Sequence, residues 1–287
     1  MSEEVRKTAA ELDRCADFLE HSQVRSQIAI HYSSVAQNSI YSAPMLKDFH
    51  YTQVLNECFY APLRHCNVDI IDTPHPLDGY RAVFSPFLTT IDADLQARTE
   101  QWVRAGGTWI VGPMSGYMTA DTSKFADSPY PFPERLAGVY VKYQRPIANN
   151  VWRAAWENGD NLGISLCYDA LQPTDSQPLA FYRGDEFDGY AVMTERKVGN
   201  GRVILLGSVP DAAAIRRLAG LSPIAVASEN IDLVEREGDR AGLIATEVEN
   251  RPGTLTLPAR YRDLLTGDIK SGDIALAPYE VLVLERV

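Results

Sequence analysis

With 287 residues, 45% hydrophobic and 23% charged, the chain is excluded from the disordered and fibrous classes and has the size of two domains. A formal net charge of -11 and a pI near 5.0 exclude nucleic acid as a natural partner, because that affinity rests on Lys and Arg displacing counterions. No apolar run approaches the roughly 18 to 20 residues that span a bilayer, and the charged opening Glu3-Glu4-Val5-Arg6-Lys7 is no secretion signal, so no membrane partner and a cytoplasmic location are expected. Cys15, Cys58, Cys66 and Cys167 form no C-x-x-C pair and read as reduced thiols.

Residues 2–21 carry Val5, Ala9, Leu12, Cys15, Ala16 and Leu19 at spacings of three and four, which predicts an amphipathic helix; residues 1–24 are expected to form an N-terminal linker helix. A buried strand over 27–32, a long loop over 33–47 and a helix over 51–66 follow. Two more strands lie at 68–71 and 80–85, with the proline-broken loop 72–76 between them. Thr90-Ile91-Asp92 caps a helix through Leu95, Thr99, Trp102 and Val103 to the stop at Gly106-Gly107, and residues 108–111 form a fourth strand. Such alternation predicts an α/β fold with a doubly wound, mostly parallel sheet. Further strands are expected at 139–142, 163–166, 179–182 and 191–194. Gly199-Asn200-Gly201 turns a hairpin into 202–206, and a last helix runs from Asp211 to Gly220. The α/β domain is thereby placed at 25–222. Short alternating runs from Asn230 onward, with turns at Gly238-Asp239, Asn250-Arg251-Pro252-Gly253 and Gly267-Asp268, predict a small all-β sandwich over 223–287.

The succession of strand 27–32, Val68-Asp69-Ile70-Ile71, Gly79-Tyr80-Arg81-Ala82-Val83-Phe84-Ser85-Pro86 and Gly106-Gly107-Thr108-Trp109-Ile110-Val111 resembles the trimerisation domain of glycoside hydrolase family 42 β-galactosidases. The tail Tyr261-Arg262-Asp263-Leu264-Leu265-Thr266-Gly267-Asp268 and the run 276–285 resemble the β-sandwich domain that ends the same enzymes. The resemblance implies a class I glutamine amidotransferase-like, flavodoxin-like fold for the first domain. In the family these two domains follow a catalytic barrel holding both catalytic glutamates, and nothing in this sequence is long enough to be that barrel. What the resemblance implies is a non-catalytic oligomerisation and structural portion of a glycosidase, with itself, as a homotrimer, and a catalytic barrel as partners. Two alternatives are a β-galactosidase polypeptide or subunit hydrolysing terminal β-D-galactosides with a barrel supplied elsewhere, and a carbohydrate- or small-molecule-binding module.

Glycoside hydrolysis needs two carboxyl groups flanking the bond, about 5 Å apart for retention. The pair Asn56-Glu57 has the right residue types but falls inside a helical pattern and reads as a solvated position; Asp185, Glu186 and Asp188 read as surface charge. A second route is a nucleophile at a strand-to-helix elbow of pattern G-x-C-x-G or G-x-S-x-G. Gly112-Pro113-Met114-Ser115-Gly116 follows its strand directly and places Met114, a thioether with no proton to lose, where the nucleophile belongs. No catalytic residue, cofactor or metal is assigned. Crevice-lining residues are expected at the strand ends, where doubly wound sheets bind ligands: His31, Asp72, His75, Ser85, Met114 and Ser115. Tyr41, Tyr51, Tyr60, Trp152 and Trp156 are expected to be exposed or at an interface, and trimer anchors are sought in 33–47 and in Phe59, Tyr60, Leu63 and Arg64.

Overall fold

The computed structural model describes residues 3–44, 49–145, 152–184 and 186–287. They form two compact units, an α/β unit made of Gln27–Pro62 and Asp69–Gly220, and an all-β unit that gathers Met1–Ser26, Leu63–Val68 and Leu221–Val287. In chain order the helices are α1 (Glu3–Glu20), α2 (Ser34–Ser42), α3 (Tyr51–Val54), α4 (Ala93–Ala105), α5 (Pro131–Ala137) and α6 (Ala212–Ala219). The strands begin with β1 (Ser22–Val24), β2 (Ile28–His31), β3 (Val68–Ile71), β4 (Ala82–Ser85) and β5 (Thr108–Val111). They continue with β6 (Val139–Arg145), β7 (Ala154–Trp156), β8 (Asn161–Leu162), β9 (Ile164–Ser165), β10 (Tyr168–Pro173), β11 (Gln177–Tyr182), β12 (Ala191–Val198), β13 (Gly201–Leu206) and β14 (Val209–Pro210). The last six are β15 (Val226–Ala227), β16 (Ile231–Gly238), β17 (Gly242–Glu247), β18 (Gly253–Asp263), β19 (Ile269–Leu276) and β20 (Val281–Arg286).

The α/β unit is built on one mixed sheet with strand order β3-β2-β4-β5-β13-β12-β11-β7-β8, onto which β10 and β6 are joined through β12. Strands β2, β4, β5 and β13 run parallel, and all four residues of β2 and of β4 are buried, as strands covered on both faces must be. From β12 onward the pairing is antiparallel, so the expected parallel arrangement is confined to the first half of the sheet. The Gly199-Asn200 turn closes the β12–β13 hairpin in register Val198↔Gly201 and joins the two halves. Helix α4 starts where Asp92 accepts from the Leu95 N–H at 2.8 Å. Its exit is tight, because a Cβ on Gly107 would lie 2.3 Å from the Trp102 ring.

Two local expectations change. Residues 34–42 are helical, with the Ser33 hydroxyl capping Ala36 N–H at 3.2 Å and Ala36 and Ile40 buried; residues 45–48 of the expected loop lie outside the described residues. The helix expected over 51–66 is instead α3, a π turn over Leu55–Tyr60 and a short 3-10 turn over Ala61–Leu63. The aromatic expectation also changes: Tyr51, Trp152 and Trp156 are core residues at 0%, 7% and 8% exposure, whereas Tyr41 is exposed. Trp152 stacks on Tyr168 at 4.7 Å and meets Phe187 at 5.0 Å, filling the antiparallel half with rings. Phe59 and Leu63 are buried too, and Arg64 is engaged by Asp232 and Glu249 at 3.3 and 3.1 Å, so none of the three is free to anchor a partner.

In the all-β unit the antiparallel order is β1-β16-β17-β20-β18-β15, with β19 on β18. Alternating burial along β18 sends Leu255, Leu257 and Tyr261 inward, where they meet Leu233, Leu243 and Leu284 in one core. A register shift between Leu257 and Tyr261 lets this one strand pair with β15 near its start and with β20 near its end. Residues 3–24 of the segment expected as a linker join this unit: β1 pairs with β16 in register Ser22↔Gly238, and Cys15 and Phe18 of α1 pack with Val283.

Candidate functional site

At the C-terminal ends of β2, β4 and β5 the chain brings His31, Ser85 and Ser115 together. All three are essentially buried. His31 Nδ1 lies 2.8 Å from Ser85 Oγ, which also accepts the Trp109 indole N–H at 2.8 Å. The Ser85 hydroxyl, with one donor and two acceptor lone pairs, accommodates Trp109 and either neutral tautomer of His31, whose Nε2 is buried without a hydrogen-bond partner. Burial holds the His31 pKa down at about 4, and the neighbouring Arg98 and His75 push the same way electrostatically. Ser115 donates to the Ser85 carbonyl at 2.6 Å and accepts the Leu88 N–H at 3.1 Å. Its proton is thus committed to the main chain rather than to a base, which leaves it unsuited to nucleophilic attack.

Asp72 and His75 do not join this cluster. Both are exposed residues of the turn after β3, where His75 meets the Tyr80 hydroxyl at 3.4 Å. Glu57 is exposed on the π turn and accepts from Gln53 at 2.9 Å. Of the acidic run, Asp185 lies outside the described residues, Glu186 pairs with Arg145 and Asp188 accepts the Gly184 N–H. Among the described residues no group of three or more His, Cys, Asp or Glu side chains is placed to hold a metal ion.

Met114 has a φ of 53°, a left-handed conformation that costs a side-chain-bearing residue energy, but β5 leads here into bends and loop rather than a helix, the next helix being α5 at Pro131, so the strand-to-helix elbow expected from the sequence is not formed. Met114 borders a cavity of about 540 Å³ in the α/β unit. Tyr117, Tyr130, Tyr140, Gln144 and Asp169 contribute to the same wall. The Tyr130 hydroxyl donates to Asp169 Oδ2 at 2.7 Å and receives the Gln144 amide at 2.6 Å. Burial raises the Asp169 carboxyl to about 7 in spite of the opposing hydrogen bonds from Tyr130 and Gln144. The Cys167 thiol on the same wall is pushed well up by burial and then by Asp169, so it stays protonated and a poor nucleophile. Tyr130, Gln144 and Asp169 share no motif, and sequence reading passes over them. The one signal was an aspartate inside the apolar run 166–171.

The chain thus combines a mixed α/β unit, with Met114 in the loop after β5, and an antiparallel all-β unit. The chain belongs to the β-galactosidase trimerisation domain family, which residues 26–222 match; residues 249–286 match the β-galactosidase C-terminal domain. It is 27% identical over 281 residues to β-galactosidase YesZ of Bacillus subtilis, covering 91% of this chain and 41% of that protein. Identity to β-galactosidase BglY of Alicyclobacillus acidocaldarius is 29% over 251 residues, 79% of this chain and 36% of the relative. The crystal structure of a β-galactosidase from Bacillus circulans sp. alkalophilus shares the fold, with a TM-score of 0.85 at 20% identity over 97% of this chain and 44% of the other. The chain therefore spans about two fifths of the length of these relatives and corresponds to a portion without the barrel.

Proposed function

We propose that this chain is the assembly and structural portion of a β-galactosidase-type glycoside hydrolase. It self-associates as a homotrimer in the cytoplasm and serves the hydrolysis of terminal β-D-galactosides only together with a catalytic barrel. The observation that carries this reading is the span of the family match, which runs through the trimerisation and C-terminal domains and takes up under half of each relative. The α/β unit is read as a glutamine amidotransferase-like fold, with Met114 in place of a nucleophile in the loop after β5. Free Cys15, Cys58, Cys66 and Cys167 suit a reducing compartment. Among the described residues, Val35 and Tyr41 offer exposed apolar surface on α2 of the kind that subunit contacts use. Multi-angle light scattering of the purified chain is expected to give three copies, and Val35→Arg with Tyr41→Arg to shift it toward one. A monomer at micromolar concentration would contradict the assembly reading, and turnover of a chromogenic galactoside by the chain alone would contradict the need for a barrel.

A further inference from the structure

We infer that the cavity bordered by Met114 and Asp169 is a binding site for a neutral sugar ring, held without chemical turnover. A volume of about 540 Å³ lies in the range that small ligands occupy, and the cavity is walled by the loop after β5, residues 124–130 and strands β6 and β10. Of the three tyrosines on the wall, Tyr140 is about half exposed and offers the kind of ring on which the C–H face of a pyranose packs, while Tyr117 and Tyr130 are buried. Asp169, Tyr130 and Gln144 are already ordered by their own hydrogen bonds. The exposed Gln144 amide, braced by Tyr130 and through it by buried Asp169, keeps a donor and an acceptor for sugar hydroxyls.

The wall also speaks against other ligands. Lys124, Lys142 and Arg145 border the cavity, but Asp127 opposes them and Arg145 is paired with Glu186, so no concentrated positive field awaits a phosphate. No reaction is expected on the bound ring, since Met114 has no proton to lose, the Cys167 thiol is held protonated and Ser115 is bonded to main chain.

Calorimetric titration of the full chain with galactose, glucose and inorganic phosphate tests this. One saturable sugar site per chain is expected, weak and unaccompanied by product. Tyr140 is about half exposed, so Tyr140→Ala leaves the fold intact; it and Gln144→Ala should each weaken binding by about tenfold. No heat with either sugar at tens of millimolar, affinity unchanged in Tyr140→Ala, or saturation by phosphate alone would each overturn the site. The assembly reading is tested separately: a trimer that binds no sugar refutes the site only, and a monomer that binds sugar refutes the assembly only.

Discussion

His31 and Asp169 are both shut away from solvent, at 1% and 2% exposure, and burial favours the neutral form of each. The two neutral forms lie on opposite sides of their titrations, so they bend stability in opposite directions. His31 titrates near 4 when folded against an ordinary 6.5, so between those values the unfolded chain binds more protons and stability rises with pH. Asp169 titrates near 7 when folded against an ordinary 3.8; there the native state binds more protons, and stability falls as pH rises through that window. Each contribution is on the order of 3 kcal/mol, large enough for a single variant to expose the other. Relative to the parent, Asp169→Asn should gain stability as pH rises from 4 to 7, and His31→Gln should lose it as pH rises from 4 to 6.5. Denaturant unfolding followed by tryptophan fluorescence reads this cleanly, because Trp102, Trp109, Trp152 and Trp156 all lie in the α/β unit. A difference from the parent that stays flat across the window would refute the assignment for that residue.

Helix ends give the next scale, and here one aspartate does more than its sequence position suggests. Asp92 caps α4 through a single bond to Leu95 N–H, whereas Asp211 caps α6 through Ala214 N–H at 2.9 Å and also accepts Gly163 N–H at 2.7 Å. An N-cap is worth about 1 kcal/mol, and the second bond adds roughly as much, so Asp211→Ala should destabilise the α/β unit by about twice as much as Asp92→Ala. Equal losses by fluorescence-detected unfolding would show that the bond to Gly163 contributes nothing. Both caps were visible in the sequence, as were the strands ending at His31, Ser85 and Val111 and the Gly199-Asn200 turn, because each rests on neighbours a few residues apart. The helix over Ser34–Ser42 was not, since Ser and Asn compete with the helix for backbone hydrogen bonds and only tertiary burial of Ala36 and Ile40 tips the balance. The same reason hid the cavity: Tyr130, Gln144 and Asp169 come from α5's cap, β6 and β10, and only the pairing of β6 with β10 sets two of them side by side. A strand-end position does not say which way the following turn leads, and the turn after β3 carries Asp72 and His75 to exposed positions, just as β5 runs into loop at Met114 where the local motif suggested a helix.

At the scale of the chain, the first and last elements belong to one unit. Strand β1 extends the sheet at the edge of β16, and Phe18 of α1, fully buried, packs with Cys15 and Val283 beside partly buried Leu19 and Ile244. The amphipathic period of residues 2–21 announced a helix but could not name its partner, which lies more than 200 residues away. A unit of this size has a modest core, so one large buried ring is a substantial share of its stability. Phe18→Ala removes that ring and leaves a cavity, at a cost of about 3 to 5 kcal/mol. Val5, about half exposed on the same helix, should tolerate alanine with little change. Tryptophan fluorescence is blind to this unit, so hydrogen exchange is the suitable measurement: amides of β16 and β17 should exchange several hundredfold faster in Phe18→Ala, following from the expected loss. Unchanged protection there would mean that α1 rests on the sheet without supporting it, and the N-terminal segment would revert to the linker that its sequence alone suggests.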